Sequence, residues 1–140
     1  MTASPGVCVK NAAEFIKFIK ENDINYVDFV FADLRGKQQH TTQHVTTVDE
    51  DLLAAGIYFD GSSIAGWKAI NESDMILMPD YSKVAVDPFS AQATVKIYCD
   101  VYEPSKKADG SGGGQPYSRC PRSVAKAALK YMEGIGIGDK

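Results

Sequence analysis

Residues 26–45 read YVDFVFADLRGKQQHTTQHV, a pattern typical of a β-hairpin at the start of a sheet. The first six residues alternate, with Val27, Phe29 and Phe31 on one face of a predicted strand. The polar segment that follows contains Gly36, which tolerates the positive φ that tight turns require. The remaining residues can return as a second strand, and that strand is notably hydrophilic.

Helical spacing outside the hairpin predicts three helices. The first spans about residues 12–21 and begins with a capping box at Asn11. The second is short, begins with a capping box whose first residue is Thr47, and is closed by Gly56. The third begins at Pro121, and its apolar face has no obvious partner within the chain.

Several further strands are predicted without helices between them. The most regular one covers residues 93–101, where Val95 and Ile97 are expected to face inward and Thr94 outward. So many strands in succession favour an α+β domain over a doubly wound sheet, and a β-grasp is compatible with the order. The other predicted strands are residues 57–59, 75–78 and 84–86.

Length and composition indicate one soluble globular domain. The chain has 140 residues, of which 44% are hydrophobic and 24% charged. A net charge of -3 provides no basic field for a phosphate backbone, so we expect no nucleic-acid partner. Apolar runs are far shorter than the roughly 20 residues that span a bilayer, and residues 1–5 do not resemble a signal peptide. We therefore expect no membrane association and a cytoplasmic location.

The cysteines and histidines do not predict a metal site. Cys8, Cys99 and Cys120 are odd in number and far apart, which argues against both a disulfide framework and structural zinc. His40 and His44 would share one face of a strand, but zinc needs a third protein ligand that nothing nearby clearly offers. We expect reduced thiols, solvated or hydrogen-bonded histidines, and no resident metal.

The chemically richest segment is residues 58–67, which read YFDGSSIAGW. Asp60 directly follows an apolar run, so its carboxylate is expected where a short strand leaves the core. With Ser62 and Ser63 it could offer several oxygens to a small cation, and Trp67 could shield that site from water. The alternative is an ordinary Asp-Gly turn without a ligand.

The same segment is similar to a known family. FDGSS at residues 59–63, followed after eight residues by ESDMIL at residues 72–77, resembles the N-terminal signature of class I (bacterial-type) glutamine synthetases. The resemblance extends from about residue 12 to residue 139. Further similar stretches are YVDF at residues 26–29, GKQQH at 36–40, MPD at 78–80, DPF at 87–89 and PRSVAK at 121–126.

This resemblance implies a β-grasp fold, an α+β ubiquitin-like roll with an N-terminal helix and a C-terminal linker plus helix. Residues 1–22 would be the N-terminal helix and residues 23–105 the β-grasp domain. Residues 106–140 would be a flexible linker and the first helix of a truncated catalytic domain. The glycine-rich run at residues 110–114 suits such a linker.

The resemblance also implies a glutamate–ammonia ligase, which uses ATP to join ammonia to glutamate and releases glutamine, ADP and phosphate. Asp60 would bind the ammonium ion and accept its proton, and Ser63 would help to seat the ion. Trp67, Glu72 and Asp74 would belong to the surrounding interfacial loop. This loop would complete the active site of an adjacent subunit in homo-oligomeric stacked rings, where glutamate, ammonium and ATP meet.

The chain departs from the family pattern in what it lacks. It stops before the segments that carry the metal-binding glutamates and the nucleotide pocket in that family. Mg²⁺ or Mn²⁺ and ATP would therefore serve the full-length enzyme, and this chain alone is expected to bind neither and to be inactive. The rival interpretation is a stand-alone, non-catalytic β-grasp interaction module that docks on a full-length synthetase or another partner.

Overall fold

The computed structural model of the chain describes Val7 and residues 9–67, 73–104 and 114–138. Most of the predicted linker lies outside the described residues, at 105–113. Within the described part, single 3-10 turns lie at Val45–Thr47 and Gly61–Ser63. The helices are Ala12–Glu21 (α1), Glu50–Ala55 (α2) and Pro121–Ile135 (α3). The strands are Tyr26–Ala32 (β1), Gln38–His44 (β2), Ile57–Asp60 (β3), Asp74–Val86 (β4), Thr94–Glu103 (β5) and Gln115–Pro116 (β6).

The described strands form one mixed sheet in the order β2-β1-β5-β4-β3, with β6 paired to β5. β1 and β5 are parallel, while the β1–β2, β3–β4 and β4–β5 pairs are antiparallel. The predicted hairpin is the β1–β2 pair, with Phe29 opposite Thr41. Helices and mixed strands in one unit confirm the expected α+β class.

The core lies on the face of the sheet that α1 and α2 cover. Phe15 and Ile19 of α1 and Leu53 of α2 are buried in one apolar cluster with the sheet. Burial of each large apolar side chain contributes about 1.5–3 kcal/mol, so this cluster is the main source of stability. The expected inward faces are confirmed. The sheet residues at most 5% exposed on this side are Val27, Phe29, Phe31, Ile57, Met75, Leu77, Val84, Val95, Ile97, Cys99 and Val101.

The opposite face of the sheet is only partly open to solvent. Val30 is fully buried, although the alternation of side chains along β1 places it on the face of the sheet that points away from the core. Thr94 was expected to face outward and is also buried, with its hydroxyl donating to the carbonyl of Gln92 at 2.9 Å. Neighbouring strands on both sides shield these central positions, which period-two patterning cannot anticipate.

β4 corrects the prediction of two short strands at residues 75–78 and 84–86. It runs without interruption from Asp74 to Val86, but its pairing with β5 shifts register between Pro79 and Val84. A bulge of this kind accommodates proline, which cannot donate a ladder hydrogen bond. Pro79 therefore marks irregular pairing between β4 and β5, and not the end of a strand.

The capping predictions were right for α1 and wrong in position for α2. The backbone N–H of Glu14 donates to Oδ1 of Asn11 at 2.9 Å, as predicted. α2 is capped by Asp49, whose carboxylate accepts from the N–H of Leu52 at 2.8 Å. Thr47 belongs to the preceding 3-10 turn. The N-cap of α2 is therefore Asp49, two residues later, which is also a residue type that favours this position.

α3 is capped after Ile135 by Gly136, whose φ of 72° is the left-handed conformation that glycine adopts most easily. None of its residues is buried, and Val124 and Tyr131 are 56% and 69% exposed. Among the residues that the structure describes, the apolar side chains of this helix pack against no other element, as expected. No helix in the described residues is both long and apolar enough to cross a membrane.

Two of the cysteines are core residues. Cys99 and Cys120 are both fully buried with free thiols. Burial raises the pKa of the Cys99 thiol well above its ordinary value, which keeps it protonated. Cys8 lies outside the described residues.

We predict that Gly56→Ala destabilises the domain more than Gly36→Ala. Both glycines have positive φ, 84° and 78°, so each substitution costs about 1–2 kcal/mol in backbone strain. A Cβ at Gly56 would also lie 2.4 Å from Cγ2 of Ile76, whereas nothing lies within 4 Å of one at Gly36. Overpacking adds about 1–3 kcal/mol at Gly56, which urea unfolding would measure. Equal losses from the two variants would contradict the close approach at Gly56.

Candidate functional site

The candidate site lies where β3 ends at the edge of the sheet. Asp60 is the last residue of β3, is exposed, and lies opposite Asp74 on β4. The N–H of Gly61 donates to the carbonyl of Ser73 at 2.7 Å, which holds the following turn against β4. A Cβ at Gly61 would lie 2.4 Å from Sδ of Met75, so only glycine permits this close approach.

The Asp60 carboxylate is oriented by the turn that follows it. Its Oδ1 accepts from the backbone N–H of Ser62 at 2.8 Å and from the Ser62 hydroxyl at 2.6 Å. These hydrogen bonds, with a further one from Ser73, outweigh desolvation and lower the pKa of Asp60. Asp60 is therefore a stable anion at neutral pH, and the stabilisation is lost only as pH falls through the lowered pKa.

The other predicted site residues fall into three groups. Ser63 and Asp74 are exposed beside Asp60 at the same end of the β3–β4 pair. Trp67 is 4% exposed and packs into the core. Glu72 lies outside the described residues.

Trp67 supports the loop from below. Its ring lies 5.6 Å from that of Phe31, 6.3 Å from that of Phe59 and 5.2 Å from that of Tyr117. Its backbone N–H donates to the carbonyl of Ile64 at 3.1 Å. Its indole Nε1 has no hydrogen-bond partner within the described residues. The ring therefore anchors the loop in the core instead of covering it from outside.

Two residues far along the chain also hold the loop, and sequence reasoning missed both. The Tyr117 hydroxyl donates to the carbonyl of Trp67 at 2.8 Å. The Arg119 guanidinium donates to the carbonyl of Gly66 at 3.2 Å. Both contacts join the segment before α3 to a loop some fifty residues earlier, and no local pattern signals such a separation.

A second polar group lies on the outer face of the sheet, in an open groove of about 520 Å³. Nδ1 of His40 lies 2.6 Å from Oδ1 of Asp28, and the Thr42 hydroxyl donates to the same oxygen at 2.7 Å. Nζ of Lys96 lies 2.9 Å from Oδ2 of Asp87. Hydrogen bonds from Lys96 first, and then from the neighbouring backbone, lower the pKa of Asp87 to about 2. The polar groups of this groove already have partners within it, so Asp60 is the stronger candidate for an external cation.

The geometry of the Asp60 loop suits cation binding. A fixed anion, a neighbouring hydroxyl and a second exposed carboxylate lie at one edge of a rigid sheet. Charge-assisted hydrogen bonds to an ammonium group are the strongest interaction such a set can make. Among the described residues, no group of three or more His, Cys, Asp or Glu side chains is placed to hold a metal ion.

Comparison with known proteins gives the family. The family model described as glutamine synthetase, β-grasp domain, matches residues 23–104. The chain belongs to the glutamine synthetase family. The match confirms both the resemblance and the predicted β-grasp fold, and it covers β1 to β5 with the Asp60 loop between β3 and β4.

Individual relatives agree with this assignment. The chain is 58% identical over 131 residues to the glutamine synthetase of Azospirillum brasilense, covering 94% of the chain and 26% of the relative. It is also 47% identical over 130 residues to 3-hydroxylaminophenol mutase of Cupriavidus pinatubonensis, covering 93% and 26%. The structure of Plasmodium falciparum glutamine synthetase superposes with a TM-score of 0.79 at 27% identity, covering 98% of this chain and 25% of that one.

The chain thus spans about a quarter of the length of the relatives it matches. Two relatives of similar identity carry different named activities, so membership of the family does not by itself establish the reaction.

We predict that Ser62→Ala raises the pKa of Asp60 toward its ordinary value of 3.8. The variant removes the hydroxyl hydrogen bond, which is the largest cause of the lowered pKa, and leaves the backbone one. An NMR titration of the carboxyl carbon would measure the change. Ser63→Ala is the matched control, because that hydroxyl does not contribute to the lowered pKa. An equal change in both variants would contradict the role of Ser62.

Proposed function

We propose that this chain is the N-terminal domain of a glutamine synthetase and that Asp60 supplies the ammonium site. The full-length enzyme would join ammonia to glutamate with ATP and release glutamine, ADP and phosphate. The Asp60 loop would complete the active site of a neighbouring subunit. The domain supports this proposal by its family, and the loop supports it by its charge and exposure.

The observation that carries the proposal is the geometry of Asp60. It is an exposed carboxylate at the end of a strand, with one oxygen held by Ser62 at 2.6 and 2.8 Å. A carboxylate oriented in advance loses less entropy when it binds a small cation. Its lowered pKa keeps the charge available for ammonium throughout the neutral range.

A low pKa favours ammonium binding but makes Asp60 a weak base in the free chain. A neighbouring subunit that covered the loop would remove water from the carboxylate and raise its pKa. Proton transfer from ammonium to Asp60 would then be easier, and it has to come first, because ammonium has no lone pair with which to attack. The resulting ammonia would form the C–N bond with the acyl carbon of γ-glutamyl phosphate as the acyl–oxygen bond breaks, and the leaving phosphate can take up the second proton that the nitrogen releases. Ser63 would help to seat the ion beside Asp60.

The remaining parts of the reaction are assigned to protein outside this chain. The described residues offer no set of three metal ligands, so Mg²⁺ or Mn²⁺ and ATP would bind elsewhere in the full-length enzyme. Asp74 and Glu72 would belong to the loop at the subunit boundary. Trp67 would support that loop from the core side.

The proposed domain organisation follows the same logic. Residues 1–22 would form the N-terminal helix region, 23–105 the β-grasp domain, and 106–140 a linker with the first helix of the catalytic domain. α3 supports this division because its apolar residues, including Leu129 at 60% exposed, do not pack on the sheet. Adjacent subunits in homo-oligomeric rings and a cytoplasmic location complete the proposal.

The second candidate is a stand-alone interaction module without catalytic activity. It is favoured by the separate core of the β-grasp domain, in which α1, α2 and the sheet bury their own apolar residues. Size-exclusion chromatography of the chain mixed with a full-length synthetase distinguishes the two. Stable co-elution with intact rings would favour the module, and no co-elution would favour a piece of a larger subunit.

We predict that the 140-residue chain alone forms no glutamine from glutamate, ammonium and ATP. It supplies one side of the proposed site, and its described residues include no group of three or more His, Cys, Asp or Glu side chains placed to hold a metal ion. A coupled assay for ADP release and direct detection of glutamine would test this. Robust ATP-dependent glutamine synthesis by the chain without a partner would contradict the proposal that the nucleotide and metal sites lie outside it.

We predict that Asp60→Ala selectively removes ammonium use when the catalytic context is restored. The context can be a chimera in which this chain replaces the matching 26% of the Azospirillum brasilense enzyme. Loss of the base should lower turnover by roughly 10²–10⁴-fold, while ATP affinity changes little. Asp51→Ala, on an exposed position of α2, is the control.

The opposite result is equally clear in this design. If Asp60→Ala weakened ATP binding and left the response to ammonium unchanged, the assignment of Asp60 would be wrong.

A further inference from the structure

Four charged residues join α3 to the sheet. Nε of Arg122 lies 2.8 Å from Oδ1 of Asp100, and the same guanidinium donates to the Asp80 carboxylate. Lys126, one turn further along α3, donates to Asp100 and lies 3.9 Å from Asp80. We call these four residues the ionic latch. The side chains of Arg122, Asp80 and Asp100 are only 25%, 19% and 18% exposed.

Apolar packing does not hold α3 in place. Every residue of α3 from Val124 onward is exposed, and the helix has no buried residue. The segment before it, in contrast, is anchored through buried Tyr117 and Cys120. A helix of fifteen residues that is fixed only at its N-terminus can pivot about that end, so the direction of α3 depends on the ionic latch.

Asp80 is prepared for its role by its own turn. Its Oδ1 accepts from the N–H of Ser82 at 3.1 Å and from the Ser82 hydroxyl at 2.7 Å. The other oxygen, Oδ2, faces Arg122 and Lys126. Partial burial works to raise the pKa of Asp80, but Ser82 and the two cations outweigh it and the pKa is lowered. The acceptor is thus ionised and oriented at neutral pH.

The latch and the Asp60 loop share one strand. β4 carries Asp80 at its register shift and Asp74 at its start, opposite Asp60. The two positions are six residues apart, about 20 Å along an extended strand. A hydrogen-bonded strand is stiff over that length, so the direction of α3 and the position of Asp60 are set in one frame.

We propose that Arg122, together with Lys126, is a positioning residue that fixes the direction of α3 relative to the Asp60 loop. Arg122 is the principal member because its planar guanidinium reaches Asp80 and Asp100 at once, whereas the ammonium of Lys126 is a point charge. The effect on catalysis rests on the proposed function; the effect on α3 does not.

The structural test uses residual dipolar couplings of backbone amides in the 140-residue chain. In the unaltered chain the couplings of α3 and of the sheet should fit one common alignment, and separate alignments there would overturn the proposal. Arg122→Gln should lose this common alignment, Arg122→Lys should retain it in part, and Lys130→Gln should retain it fully. Lys130 is the matched control because it lies on the same helix, is exposed, and is not part of the latch.

Salt provides a second measurement on the unaltered chain. Raising the ionic strength to about 1 M shortens the Debye length to about 3 Å, which should weaken the common alignment through the half-exposed Lys126. The sheet amides in the same spectra report whether each variant is folded. A folded Arg122→Gln chain with unchanged α3 couplings would overturn the proposal.

The functional test uses the Azospirillum chimera. Arg122→Gln should lower kcat/KM for ammonium by about 10- to 100-fold, as expected for a small misplacement of a reacting group, with a smaller change in KM for ATP. Equal losses for ammonium and ATP, or none, would overturn the coupling to Asp60. An active chimera that is insensitive to Asp60→Ala would instead overturn the proposed function and leave the structural test of the latch intact.

Discussion

The parallel pairing of β1 with β5 is the contact on which the remaining structure depends. It begins where the N–H groups of Asn25 and Tyr26 both donate to the carbonyl of Ala93, and it places Phe29 beside Ile97. β5 then has a partner on each side, so its inward residues are sealed from water. β4, β6 and the charged contacts of α3 are all built on β5. An isolated two-stranded hairpin is marginally stable in water, so the β1–β2 hairpin depends on this long-range pair for support.

The candidate site is exposed because it lies on β3, at the edge of the sheet farthest from β2. β3 is an edge strand of only four residues, and Asp60 is its last. An edge position leaves the carboxylate open to a partner, while Gly61 and Trp67 fix the turn from inside. The site therefore combines a turn held rigidly on the core side with a carboxylate exposed on the outer side. The proposed contribution of the Asp60 loop to a neighbouring subunit's site would need both features.

Particular residues show how far sequence reasoning reached. The apolar–polar alternation within β1 and within β5 predicted that Val27 and Ile97 face the core, and both are buried. Asn11 predicted the start of α1, because its capping hydrogen bond involves only Glu14, three residues later. Pro79 led to a wrong strand end, because a bulge can absorb a proline when the partner strand continues. Thr94 was misplaced because burial on the second face depends on distant strands.

Local chemistry in the sequence was enough to determine the start of α1, the inward strand faces and the presence of an acidic turn at Asp60, since each depends on residues a few positions apart. Tertiary structure alone decided that Trp67 lies beneath that turn, that Tyr117 holds it, and that Arg122 joins α3 to two strands. These contacts join residues between 22 and about 50 positions apart. Their partners are chosen by the three-dimensional register of the sheet, and no periodicity along the chain encodes that register.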